Sequence, residues 1–267
     1  MPLSAAEVEY EIVEGGVAVL RWNRPAARNA LTPEMVDAAA AALARAAKDA
    51  AVGAVVVTGA GSAFSAGADL KRMARPERLG RNAIEGWRRG RHGAEGPSRL
   101  LGFPKPTIAA LHGPVAGMAC AWALACDVVV AAADARFHLG FVPMGFVPDS
   151  GSSWLLVRRV GLGQAKRIVL TGAPVDGAEA ERIGLCDVLV EPGRDVEAAV
   201  EMGRRIARQP PLAVAQARRV LEFASRASFE DAVELEAWVQ GALGETDDHR
   251  EAVRAFVEKR EPRFRGR

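Results

Sequence analysis

The sequence predicts an α/β protein: parallel β-sheet covered by helices, followed by a helical C-terminal region. Three observations carry that expectation. Short β-rich runs alternate with helical stretches, the pattern that builds parallel sheet. Two glycine- and alanine-rich turns, over 65–70 and 112–119, each follow such a run and lead towards a helix. Beyond Pro192 the texture becomes helical and charged, so an α/β core is placed at 1–195 and a helical region at 196–267.

The elements follow in order. Residues 17–22 read as a strand that ends in the turn Asn23-Arg24-Pro25. Thr32 can cap the next helix and Pro33 suits its first position; the alanine-rich run carries that helix to about residue 48. A parallel-type strand over 54–58 leads into the first glycine turn, and a polar, arginine-rich connection spans 71 to about 98. Further strands are expected at 107–112, 127–132 and 186–190, with helices at 117–125, 151–160 and 178–183. Four helices close the chain, at 196–207, 211–225, 228–243 and 248–260, with Pro210-Pro211 breaking the first pair.

Composition narrows the class. The 267 residues are 49% hydrophobic and 25% charged, an ordinary globular balance, and the net charge of +2 comes from interspersed signs. Nothing resembles a basic stripe for nucleic acid; Arg88-Arg89 and Arg204-Arg205 read as solvated helix faces. Cys120, Cys126 and Cys186 lie in apolar surroundings without metal-ligand or CxxC spacing, so buried thiols in a reducing cytoplasm are expected, with no disulfide framework and no metal. The N-terminus shows no basic-plus-apolar secretory pattern. Residues 115–133 approach the ~20 apolar residues of a membrane span. However, Asp127 lies within the run and β-branched texture begins after Cys126, so a buried helix entering a buried strand is expected and no membrane partner.

The glycine turns are tested against other chemistries. Gly59-Ala60-Gly61 starts like a dinucleotide fingerprint, but Phe64 stands at the third glycine position and no Walker lysine follows. Ala63-Phe64-Ser65-Ala66-Gly67 lacks the first glycine of a hydrolase elbow, and Pro148 precedes Asp149-Ser150-Gly151 where another would be needed. The four histidines show no ligand spacing, and His112 reads as satisfying a turn. What remains is backbone: N–H groups left bare in two turns can converge on one carbonyl oxygen as an oxyanion hole.

These residues resemble the crotonase (enoyl-CoA hydratase/isomerase) superfamily over nearly the whole chain. Five stretches carry the resemblance in order: Asn23-Arg24-Pro25 with Asn29-Ala30-Leu31, 58–70, 105–127, 171–185, and Ala255-Phe256-Val257-Glu258-Lys259-Arg260. The resemblance implies a crotonase-type spiral of ββα units whose C-terminal helices build a homotrimer or a dimer of trimers. It implies an acyl-CoA thioester as substrate, coenzyme A entering as part of it with no separate cofactor. The implied oxyanion donors are the N–H groups of Ala68 and Met118. Coenzyme A contacts are implied at Ala26, Arg28, Ala66, Ala68, Asp69, Leu70 and Gly117, with Phe256 and Lys259 supplied by a neighbouring subunit.

The departures sharpen the expectation. The two glutamates of typical hydratases fall at Ala121 and Phe141, so both carboxylates are absent. Asp149 stands where hydratases have glycine. It resembles the aspartate of dienoyl-CoA isomerases, of the ring-epoxide isomerases of phenylacetate degradation, and of 4-chlorobenzoyl-CoA dehalogenases; the Val-Pro-Asp-Ser-Gly-Ser-Ser-Trp-Leu-Leu wording is nearest the phenylacetyl-CoA group. Phe141, Met144 and Phe146 would surround it with apolar surface and raise its pKa. Its plain alternative is a helix N-cap. One base serving both proton transfers makes an isomerase the leading expectation. Beside it stand a hydratase-like lyase, an Asp-nucleophile hydrolase or dehalogenase with His92 guiding water, and a non-catalytic thioester-binding protein. Trp87, Phe103 and Trp122 read as core residues that could instead offer aromatic contacts.

Overall fold

Valine-rich runs with both faces buried set the frame of the computed structural model, which describes residues 7–74 and 83–267. In chain order the elements are β1 (Val8–Val13), β2 (Val17–Trp22), α1 (Pro33–Lys48), β3 (Ala54–Gly59), α2 (Leu70–Met73), α3 (Ala83–Leu101), β4 (Thr107–Leu111), β5 (Pro114–Ala116) and α4 (Met118–Leu124). They continue with β6 (Val128–Ala132), β7 (Arg136–His138), α5 (Ser152–Thr171), β8 (Val175–Asp176), α6 (Gly177–Arg182) and β9 (Val188–Val190). Four helices follow: α7 (Asp195–Ala207), α8 (Pro211–Ala224), α9 (Phe229–Gly244) and α10 (Asp247–Glu258).

Six strands form one sheet in the order β1-β2-β3-β4-β6-β9; all neighbours are parallel except β1 and β2. A second sheet pairs β5 with β7 in parallel and β7 with β8 antiparallel. Alternate residues of the large sheet enter two separate cores. Leu20, Trp22, Val55, Val57, Ala109, Leu111 and Val129 pack with α1 and α4, whereas Val17, Val19, Val56, Ile108 and Val130 pack with Ala199 and its neighbours on α7. That division explains why these strands read as continuous apolar runs. In the first core the Trp22 and Trp122 rings meet edge to face, 4.9 Å between centroids.

Several expectations need correction. The stretch 71–98 is no extended connection: α2 and α3 occupy its described part. Gly86, Gly90, Gly93, Gly96 and Pro97 lower the helix propensity of α3, but Gly96 lies so close to the Trp122 ring that any side chain there would collide. Packing overrides propensity. The helix expected at 151–160 does break at Gly161 (φ +74°), and a second helical segment then runs on to Thr171. Strands β1, β5, β7 and β8 escaped the sequence reading. Trp87 is exposed, whereas Phe103 and Trp122 are core. Residues 115–133 are a buried strand, helix and strand. Among the described residues no helix is long and apolar enough to cross a membrane, and no cluster of His, Cys, Asp and Glu could hold a metal ion. The three cysteines are free and buried, and burial pushes each thiol up to about 12.

Candidate active site

The loop after β2 is where the site begins. Asn29, fully buried at φ +54°, aims its amide nitrogen at the carbonyl oxygens of Ala60 (2.9 Å), Ala63 (2.7 Å) and Phe64 (3.3 Å). Its own side-chain oxygen accepts the Arg24 N–H at 2.8 Å. The Ala66 N–H donates to Arg28 (2.8 Å), the Leu31 N–H to Gly67 (2.7 Å) and the Asp69 N–H to Leu31 (3.1 Å). Leu31 therefore engages the residues on either side of Ala68, and the Ala68 N–H faces away from that bridge.

The second turn is stitched to the first. The Ser65 N–H donates to Pro114 and the Ala116 N–H to Ser65, each at 3.0 Å, while the Gly117 N–H donates to His138 at 3.0 Å. Gly67 (φ +82°) lies close against the second turn: a Cβ there would fall 2.5 Å from the Ala116 carbonyl oxygen and 3.6 Å from the Gly117 nitrogen. Met118 opens α4, so its N–H has no acceptor within the helix. Ala68 and Met118 line the same cavity, of about 320 Å³, with Leu31, Pro33, Val36 and Met73 as apolar wall and Arg72, Arg88, His92 and Gly93 alongside.

Asp149 is not in the lining of that cavity. It is joined to it through Ser150, whose hydroxyl donates to Asp149 Oδ1 at 3.1 Å. A Cβ on Gly93 would fall 2.8 Å from Ser150 Oγ and 3.3 Å from Met118 Sδ, so the aspartate's neighbour and the second turn meet at one point on α3. The N-cap alternative is not what the side chain does: Gly151 caps α5, and Asp149 contributes its main-chain oxygen, which accepts from the Ser152 N–H (2.8 Å) and hydroxyl (2.5 Å). Asp149 is itself exposed to solvent in the single chain, yet desolvation by the protein around it raises its pKa from the ordinary carboxylate value; the Ser150 bond acts the other way. Phe141 packs on the core, but Met144 and Phe146 are more than half exposed, so the expected apolar enclosure is incomplete in the single chain.

A family model for enoyl-CoA hydratase/isomerase matches residues 13–267. The chain belongs to the enoyl-CoA hydratase/isomerase family. A Thermus thermophilus protein provisionally named enoyl-CoA hydratase is 39% identical over 254 residues, covering 95% of this chain and 99% of that one. The 1,2-epoxyphenylacetyl-CoA isomerase of Escherichia coli is 32% identical over 256 residues, covering 96% and 97%. The crystal structure of enoyl-CoA hydratase from Bacillus anthracis superposes with a TM-score of 0.92 at 28% identity, covering 98% and 100%. The fold is thus the crotonase fold.

The two positions at which the resemblance placed hydratase glutamates carry no acid. Ala121 is fully buried on α4 and Phe141 half-buried, so neither position brings a carboxylate to the cavity. The other residues singled out in the sequence divide into groups. Ala26 and Arg28 are exposed on the loop bonded to Ala66, and Leu70 is exposed at the start of α2. Asp69 lines the cavity with its carboxylate already engaged: it caps α2 through the Arg72 N–H (3.1 Å) and pairs with Arg24 at 2.7 Å. Phe256 is exposed on α10 and Lys259 ends that helix; the single chain brings neither to the cavity. Sequence reasoning missed Arg72, Met73, Arg88 and Gly93 as cavity residues because neither α2 nor α3 was read as a helix in that stretch. It also missed the clamp made by Asn29, whose position between Pro25 and Thr32 was the available signal.

Proposed function

We propose that this family member is an acyl-CoA isomerase that moves a double bond, or opens and rearranges a ring epoxide, next to a thioester. Its substrate's thioester oxygen would sit between the N–H groups of Ala68 and Met118. In an enzyme with a comparable hole, losing one such donor costs about 2.7–4 kcal/mol of transition-state stabilisation, so two donors suffice to hold an enolate. For a 3-enoyl thioester, the Asp149 carboxylate takes a proton from C2, the electron pair delocalises into the thioester oxygen, and the same proton is returned at C4 to leave the conjugated 2-enoyl product. A raised pKa makes Asp149 a stronger base than an ordinary carboxylate, which suits that shuttle.

The observation that carries this reading is the junction at Gly93: one carboxyl group is tied through Ser150 to the wall of the cavity that Ala68 and Met118 line, while both hydratase carboxylate positions are empty of acid. Coenzyme A, as part of the substrate, would run over Ala26, Arg28, Ala66, Asp69, Leu70 and Gly117. Phe256 and Lys259 would reach its adenine end from a neighbouring subunit of a trimer or hexamer, consistent with their exposure here. The hydratase reading draws on relatives' names; a place for an activated water between two carboxylates is what it lacks.

The test is to mix the protein with 3-hexenoyl-CoA and, separately, crotonyl-CoA in D2O and follow products by mass and NMR. Conversion of the first to its 2-enoyl isomer, without hydration of the second, supports the proposal. Rapid formation of 3-hydroxybutyryl-CoA refutes it. Inactivity on both moves the reading to ring-epoxide or haloaryl thioesters, or to a protein that only binds.

A further inference from the structure

Most polar groups lining the cavity are held by other parts of the protein. The Thr32 hydroxyl accepts the Met35 N–H as the cap of α1, at 3.3 Å. Asp69 is held by Arg24, and Arg72 by both oxygens of Glu34 at 2.5 and 2.6 Å. His92 stands between Asp37 and Glu95, at 3.8 and 3.7 Å. Arg88 differs: exposed, as expected of a solvated helix face, it also lines the cavity one helical turn before His92, and no acid among the described residues pairs with it. Neighbouring Arg91 lies over the Trp87 ring at 5.9 Å, which distinguishes it from Arg88.

A guanidinium without a partner in a cavity that also offers Leu31, Pro33, Val36 and Met73 as apolar wall is the kind of group that orients a ligand. Its planar fork matches a carboxylate with two parallel hydrogen bonds. The position along α3 is also informative. Gly93 marks where α3 touches Met118, and Arg88 lies five residues earlier, about 7.5 Å along the helix axis at 1.5 Å per residue. A short-to-medium acyl chain starting at the oxyanion donors can reach that far.

We infer that Arg88 receives a carboxylate at the far end of the acyl chain, so that the preferred substrates are coenzyme A thioesters of dicarboxylic acids. This rests on the acyl-CoA reading above. The same guanidinium chemistry would also suit a phosphate of coenzyme A, and the experiment must separate the two anions.

Binding of adipyl-CoA and hexanoyl-CoA, saturated thioesters of equal length that cannot isomerise, is measured by calorimetry on the wild type, Arg88→Gln and Arg88→Lys. The wild type is expected to bind adipyl-CoA about ten- to a hundredfold more tightly, the worth of a charge-assisted contact. Arg88→Gln should remove that ratio by weakening adipyl-CoA, and Arg88→Lys, which keeps the charge but not the fork, should restore part of it. Equal affinity of the wild type for the two ligands overturns the inference. So does an equal loss of both in Arg88→Gln, the sign of a phosphate contact. Failure of the wild type to bind either thioester defeats the acyl-CoA reading itself, whereas hydration of crotonyl-CoA would defeat only the isomerase assignment. A melting curve on each variant verifies that it is folded.

Discussion

Gly67→Ala is the substitution whose consequences the structure specifies most closely. The residue sits at φ +82° with the Ala116 carbonyl oxygen only 2.5 Å from where a Cβ would be. A side chain in left-handed backbone costs about 1–2 kcal/mol, and forcing atoms into a packed site about 1–3 kcal/mol. The sum, about 2–5 kcal/mol, corresponds to a melting point lower by about 4–20 °C for a chain of this size. The larger effect should fall on catalysis. The obstacle is backbone, so relief requires the two turns to separate, and this moves the Ala68 N–H away from Met118. Loss of one donor predicts a kcat lower by about 10²–10³. The assay is isomerisation of 3-hexenoyl-CoA well below the variant's melting point, beside Gly163→Ala as control. Gly163 is helical, exposed and unobstructed, so that change should stabilise by about 0.5–1 kcal/mol and leave turnover alone. Full kcat in folded Gly67→Ala would refute the claim that the approach of the two turns sets the donor geometry.

Three further outcomes are expected. Asp149→Asn should lower kcat by about 10²–10⁴ with the melting point equal or higher at pH 8. Burial raises this carboxyl's pKa, so the folded protein holds the proton to a higher pH than the unfolded chain, and stability falls as pH rises between the two pKa values; a marked fall in melting point would contradict this. Asn29→Ala removes the amide aimed at three carbonyl oxygens and places alanine at φ +54°. Each buried carbonyl left without a partner costs about 1–3 kcal/mol, so urea denaturation should show a loss of several kcal/mol. His112 bonds buried Asp195 at 2.8 Å, and that bond holds the imidazole pKa above its ordinary value against the opposing effect of burial. The resulting stabilisation is full below the unfolded-state pKa near 6.5 and is lost as pH rises through the folded one. The melting-point gap between wild type and Asp195→Asn should therefore narrow from pH 5.5 to pH 9, and a gap that widens would refute the argument.

The interior of the fold was legible because local and global signals agree there. Residues 54–58 and 107–111 are apolar on both faces, and the structure buries both faces. The edge is different. β1 alternates half-buried and exposed positions beside an antiparallel partner, a weak signal over six residues. α3 was hidden for the opposite reason: four glycines and a proline follow Glu85 in its sequence, and packing against α1 and α4, with Leu100 in the core and Gly96 against Trp122, holds a helix there. The two backbone turns could be seen because glycine spacing writes main-chain geometry directly into the sequence. The side-chain wall could not, because placing Arg88, His92 and Gly93 on one cavity requires the register of a helix that propensity argues against.

This division bears on how the reaction is specified. The N–H groups of Ala68 and Met118 are held by main-chain bonds and by Asn29, features that depend little on which acyl group is present. Asp149, the proposed acid-base group, and the cavity wall meet them through α3, at Gly93, where no side chain fits between Ser150 Oγ and Met118 Sδ. On the proposed reading, one element therefore spaces Asp149 from the N–H groups of Ala68 and Met118 and also presents Arg88 to the cavity. A shift of α3 by even a few tenths of an ångström would alter reaction geometry and acyl recognition together. Substitutions on its cavity face should accordingly change kcat and substrate preference as a coupled pair, whereas substitutions in the Asn29 clamp should lower activity on every thioester alike.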